Sequence, residues 1–232
     1  MLPIERRLMM KCTMGVFLSL TKNLSALAQA STGRVSQTRD QLNWTQFIEK
    51  VAKFSQDRSH DHLSSSTFVN DVATLGAKLD SADPSLAGAC SFLAAKRAAT
   101  HKPLLIAETN RQMTFEVLLL SLESGYTIPL HDHPARSGVS ICVSGHAKVK
   151  NYDFVPSSGS ALLKQRSQTS LYGQKASTLT EQEGNVHTIS ALQSTQLIDV
   201  FSPPAPQSGG FHWFTAEPDK QDQRLLKVTS FS

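Results

Sequence analysis

The chain has 232 residues, 40% of them apolar and 18% charged, which suffices for one sizeable core and is tight for two full domains. No apolar run reaches the roughly 20 residues of a membrane helix, so a membrane partner is not expected. The net charge of +4 sits at one end: residues 1–39 hold Arg6, Arg7, Lys11, Lys22, Arg34 and Arg39 against Glu5, leaving 17 basic and 18 acidic groups elsewhere, so the body offers no electrostatic surface for nucleic acid.

In chain order, residues 1–40 read as a basic, acid-poor extension. Its composition suits a cytoplasmic tail or, alternatively, a mitochondrial transit segment, and Lys22 interrupts what would be a secretory signal core ahead of Ala28-Gln29-Ala30. Residues 41–100 form a helical preface. Asn43 and Gln46 frame a capping box, and Trp44, Phe47, Ile48 and Val51 follow at helical spacing. A second helix after Ser64, Ser65 and Ser66 aligns Phe68, Val72, Leu75 and Leu79, and a third, alanine-rich, runs from Pro84 to about Ala98.

After His101, expected to start the first strand, the period changes to that of short strands broken by Asn, Gly and Pro. They include Leu104–Ile106, Phe115–Leu119, Val139–Val143 and Ala147–Val149. Residues 156–178, rich in Ser, Gln, Gly and Lys, read as a surface insertion. Strands resume near Ser177 and end at Pro203-Pro204. The fold class is therefore mainly β, an antiparallel barrel or sandwich over residues 101–232 behind the helical preface. Cys12, Cys90 and Cys142 are odd in number and form no CxxC pair, which argues for a reducing compartment, no disulfide and no cysteine zinc site.

Residues i and i+2 of a strand share a face, so His131 and His133 in GYTIPLHDHP present two imidazoles to one wall, half of a metal site. A second HDH triplet, His60-Asp61-His62, falls between two helices among polar residues and reads as solvated. His146 follows a turn glycine and should point to solvent, and His212, in an aromatic patch, should be satisfied locally. What distinguishes the later triplet is its frame: Gly125, His131, His133, Gly138 and Gly145 follow the spacing of the first cupin motif, and Gly184-Asn185-Val186-His187 resembles the second. Where the usual cupin has a glutamate ligand, this chain has Gly138. Three neutral imidazoles leave a divalent metal its full charge, which favours iron(II) and an anionic sulfur ligand.

IPLHDHP at 128–134, VSGHAKVKNYDFV at 143–155, GNVHTISA at 184–191 and LIDVFSPP at 197–204 resemble the cysteamine dioxygenase and plant cysteine oxidase family of thiol dioxygenases, from about Leu104 onward. The resemblance implies a cupin β-barrel (double-stranded β-helix) holding Fe(2+) through His131, His133 and His187. It implies insertion of both atoms of O2, as co-substrate, into the thiol of cysteamine or of a protein's N-terminal cysteine, whose oxidation marks that protein for degradation when oxygen is present. Asp199 would orient the substrate amine or water near the iron. Arg136, Tyr152 and Trp213 are candidate pocket residues, Arg136 at the mouth where it would discourage a cationic amine. The chain departs from the family pattern at Ala135, Arg136, Ala205 and Phe211, which keeps a non-catalytic metal- or ligand-binding cupin as the alternative. A monomer is expected.

Overall fold

The apolar spacings of the N-terminal third become three helices, α1 (Trp44–Ser59), α2 (Ser65–Gly76) and α3 (Pro84–Ala99). The structure, a computed structural model, describes residues 40–59, 63–156, 161–206, 211–220, 222 and 224–231; the basic extension, Cys12 and the first HDH triplet lie outside the described residues. Each helix begins at the cap its sequence announces. Asn43 accepts from the Gln46 N–H at 2.8 Å and Gln46 from the Asn43 N–H at 3.1 Å. Ser64 accepts from Thr67, and Asp83 accepts from Ser85 and Leu86 beside Pro84. These side chains satisfy amides that have no partner within the helix. Among the described residues no helix is long and apolar enough to cross a membrane.

The strands are β1 (Leu104–Arg111), β2 (Glu116–Leu122), β3 (Thr127–His131), β4 (Ser137–Ser144), β5 (Ala147–Val155), β6 (Leu162–Leu171), β7 (Ala176–Leu179), β8 (Val186–Ala191), β9 (Thr195–Ser202), β10 (Phe214–Pro218) and β11 (Leu225–Phe231). They pair into a five-stranded sheet, β1-β2-β9-β4-β7, and a six-stranded sheet, β10-β11-β6-β5-β8-β3. An isolated bridge between His131 and Trp213 brings the residue before β10 beside β3.

Alternation along β9 shows how the layers divide. Ile198 and Val200 join Val117, Leu119, Val139 and Ile141 under the helices, packed on Phe47, Phe68, Val72 and Leu86. Leu197 instead joins Leu120, Leu122, Cys142, Val149 and Ile189 between the two sheets. With both faces covered, all eight residues of β9 are buried. A third cluster, Leu130, Tyr152, Leu163 and Val186, packs against Phe214, Leu226 and Val228 of the C-terminal hairpin. Cys90 and Cys142 are free and buried, and burial pushes their thiols up to about 12 and about 11.

Three expectations change. Residues 156–178 are not a surface insertion, because β6 pairs with β5 from Ala147↔Leu171 to Val155↔Leu162. This strand is held by its ladder while most of its side chains face water, so it carries no apolar period. The strands do not end at Pro203-Pro204, since β10 and β11 follow as a hairpin. His101 does not start β1; it closes α3 with φ of 51° and its N–H on the Ala98 carbonyl.

The turn between β4 and β5 needs Gly145, whose φ is 82°. A Cβ there would overlap the Ser194 carbonyl oxygen and lie 2.8 Å from Thr195 Cα. Gly125 has φ of 83° with nothing within 4 Å of such a Cβ. Gly145→Ala should therefore lower the unfolding free energy by about 3 kcal/mol or more, from backbone strain plus overlap, and Gly125→Ala by only about 1–2 kcal/mol. Urea unfolding of the two variants checks the order.

Candidate metal centre

Strand β3 carries one residue more than its partner. Ile128 pairs with Ile189 and His131 with His187, so three steps on β3 match two on β8. A bulge reverses the face that the following residue takes. Ile128 and His131 therefore both look into the barrel although they are three apart, and Leu130 turns outward to Tyr152 and Val186. Pro129, with no N–H to leave unpaired, fits within the bulge. Its carbonyl accepts from His131 Nδ1 at 2.8 Å, which fixes the tautomer and leaves the Nε2 lone pair free.

His133 is not in that strand, contrary to the sequence expectation of one HxH strand, because β3 ends at His131. A turn places it instead. The Arg136 N–H donates to the His133 carbonyl at 3.1 Å, with Pro134 and Ala135 at the centre and Ala135 at φ of 57°. Asn185, two residues before His187, clamps this turn: its Oδ1 accepts from the His133 N–H at 2.7 Å. Its Nδ2 faces the carbonyls of His133, Arg136 and Thr180 at 3.0, 3.2 and 2.9 Å. One carboxamide thus ties the turn bearing His133 to the approach to His187. Asn151, in register with His187 on β5, donates to the Gly184 carbonyl at 2.9 Å and accepts from Ser177 at 3.1 Å.

Held in this way, His187 Nε2 lies 2.9 Å from His131 Nε2 and 3.2 Å from His133 Nε2, and the three ligand atoms all fall within 4.8 Å of one another. A divalent metal bound by imidazole sits about 2.0–2.1 Å from each nitrogen, which puts ligands at right angles about 3 Å apart. The residues present fit such an ion. All three rings are buried. Burial pushes His131 down to about 4, opposed by the Pro129 hydrogen bond and by Asp132. Burial also sends His133 and His187 well below the ordinary range, helped by repulsion from His131 and, for His133, from His187 and Arg136. Neutral imidazoles are the form that binds metal.

Asp132, between His131 and His133, points away from them. Its carboxylate accepts from the His212 N–H at 2.7 Å and faces His212 Nδ1 at 3.1 Å, while its own N–H donates to the His212 carbonyl. This pairing seats Trp213 against His131, ring centroids 5.1 Å apart, and packs Phe211 edge-on to Trp213. Asp199 shares the inward phase of β9 with Leu197; it bonds Ser140, and its Oδ1 has no hydrogen-bond partner among the described residues. Burial raises its carboxyl to about 6, with Ser140 and Arg136 opposing.

The other candidates divide. Trp213 borders His131, whereas Tyr152 packs with Leu130, Leu163 and Val186 on the opposite face from His187. Arg136 is 3% exposed and sits in no open mouth: its charge is paired with Glu116. His146 is half-buried against Tyr172 instead of turned to solvent. Sequence reasoning missed Glu116, Asn151 and the role of Asn185. For Glu116 a signal existed, because it is a charge in the inward phase of Leu118, Leu120 and Leu122.

The family model PCO_ADO matches residues 75–224, well over half of the chain. It begins inside α2 and so includes α3, where the motifs alone place the start near Leu104. No curated protein matches the sequence. Solved structures similar to it include an RmlC-like cupin from Shewanella frigidimarina at 20% identity, covering 46% of this chain and 80% of that one with a TM-score of 0.36. KdgF from a Halomonas species is 17% identical over 44% of this chain and 79% of its own, with a TM-score of 0.35.

In the unfolded chain these imidazoles take up protons near pH 6.5, whereas folded His131 does so only near 4. The unfolded state then binds more protons across that window, and stability falls as pH drops through it. The melting temperature of the metal-free protein should decline from pH 6.5 toward 4, less steeply in His187→Gln; parallel slopes would contradict the burial of a neutral ring. Ala135→Gly removes left-handed strain and should raise stability by about 1 kcal/mol, read by urea unfolding.

Proposed function

The chain belongs to the PCO_ADO family, that of the cysteamine dioxygenases and plant cysteine oxidases, and on that premise we propose that it is an iron(II)-dependent thiol dioxygenase. The reaction converts a thiol and dioxygen to a sulfinic acid; both oxygen atoms end on sulfur, so no external reductant is needed. The observation that carries the reading is the convergence of three buried, neutral imidazole nitrogens, His131, His133 and His187, with no carboxylate in the ligating group. Iron(II) held there would supply the redox chemistry that joins dioxygen to a sulfur bound as thiolate.

The chain's own residues do the rest. The Pro129 bond and the Trp213 contact hold the His131 ring, the Asn185 clamp holds the backbone of His133 and the β3–β8 register places His187, so little reorganisation remains when a ligand arrives. Trp213 and the buried lining restrict water beside the sulfur. Cysteamine and an N-terminal cysteine share an amine two carbons from the thiol, and Asp199, buried with an unpartnered oxygen, is the acceptor for that ammonium. Pairing of Arg136 with Glu116 removes the objection that an uncompensated cation would repel an amine. Oxidation of protein N-terminal cysteines would make the enzyme an oxygen sensor, working as a monomer.

The test is to purify the chain without chelator, measure bound metal, and follow by mass the gain of two oxygen atoms on cysteamine and on a peptide beginning with cysteine. Iron without gain on either thiol sinks the enzyme reading and leaves a binding cupin. Asp199→Asn should keep the iron and lose roughly 10- to 100-fold in kcat/KM. Because Asp199 is ionised only above about 6, activity of the parent should fall as pH drops below that value, and this acid limb should vanish in Asp199→Asn.

A further inference from the structure

His131 and His133 are oriented in different ways. The Nδ1 of His131 is held by the Pro129 carbonyl, but that of His133 is buried with no hydrogen-bond partner among the described residues. Besides the two other imidazoles, the ring packed on His133 is Phe201, centroids 4.4 Å apart and planes 33° from parallel. The same phenyl ring carries the Arg136 guanidinium 4.2 Å from its centroid. Arg136 in turn is fixed by Glu116 and by the Pro203 carbonyl, which its Nε reaches at 3.2 Å. The second Glu116 oxygen accepts from Arg111 at 2.8 Å, and Arg111 also bonds the Ala205 carbonyl.

The Glu116 and Arg136 side chains are 3% and 4% exposed. A buried ion pair adds little net stability over apolar residues of the same volume, so stability alone does not account for one laid against the ring that touches a ligand. Phe201 also faces Gly138 across β4 and β9. A Cβ on residue 138 would lie 2.5 Å from the phenyl ring, so a side chain at that position would run into the ring.

We propose that Phe201, clamped by Arg136 and Glu116, is a positioning residue of the metal centre: it orients the His133 ring by stacking and fills the space through which a fourth protein ligand would enter from residue 138. The proposal rests on the metal-site reading given above. It makes the all-histidine ligand set a consequence of two positions acting together, the glycine and the ring packed over it. It also gives the departure at Arg136 a role, since a planar cation can lie flat on a phenyl ring and fork to a carboxylate at once, which an ammonium cannot.

Co(II) is the probe, because its visible bands report coordination without turnover. Phe201→Leu and Arg136→Lys should raise the Co(II) dissociation constant about 10- to 100-fold and shift the bands, while the metal-free melts remain cooperative. The pair Phe201→Ala with Gly138→Glu should show bands that differ from those of Phe201→Ala alone, as a carboxylate oxygen joins the nitrogens. Wild-type protein that takes up no Co(II) overturns the metal centre and the proposal with it. Wild-type binding with affinity and bands unchanged in Phe201→Leu overturns the proposal alone. Should Phe201→Leu not fold, unchanged binding in Arg136→Lys overturns it equally.

Discussion

Imidazole nitrogens 2.9 and 3.2 Å apart in a site shut off from water repel one another unless a cation or a shared proton lies among them. Much of the structure around the three histidines answers that constraint. Burial keeps the rings neutral, which suits a metal, but it also removes the water that would otherwise satisfy them. Their orientations must then come from the protein: the Pro129 carbonyl for His131, the Asn185 carboxamide for the backbone of His133, and the β3–β8 register for His187.

The rest of the fold makes a dry site possible inside a barrel of modest size. The helices cover the outer face of the five-stranded sheet, so the hydrophobic demand of that sheet is met largely outside the barrel. Its inner face can then change along its length, from Leu122, Cys142 and Leu197 at one end to Asp199 and Ser140 near the other. On the far side, the C-terminal hairpin covers Leu130, Tyr152 and Val186, the neighbours that the bulge and the β8 alternation turn away from the site. Polar chemistry in the interior is accommodated because apolar burial is provided in three separate places.

Glu116, Arg111 and Arg136 show how charge enters without destabilising the interior. Two guanidinium groups flank one carboxylate, and Glu108 meets Arg111 at the surface, so no charge in this group is left uncompensated. The peptide carbonyls of Pro203 and Ala205 are bound by the same arginines. The segment after β9 is therefore tied to the end of the barrel that holds the histidines.

The amino-acid order by itself determined the helices, because Phe47, Val51, Phe68 and Val72 recur at helical spacing behind recognisable caps. It also singled out the three histidines that converge, because their glycine-framed spacing resembles the cupin motifs and is a local pattern. It was silent on β6, whose residues hydrogen-bond to β5 while facing water, and on β10 and β11, where a short hairpin carries little periodicity. Only the tertiary structure decided that His131 faces inward, since a one-residue bulge against β8 sets the side and strict alternation from Ile128 predicts the other. It likewise decided the partners of Glu116, Asn185 and Phe201, which meet residues 20 or more positions away or on another strand. Such contacts follow from where the chain closes on itself, and no local spacing records that closure.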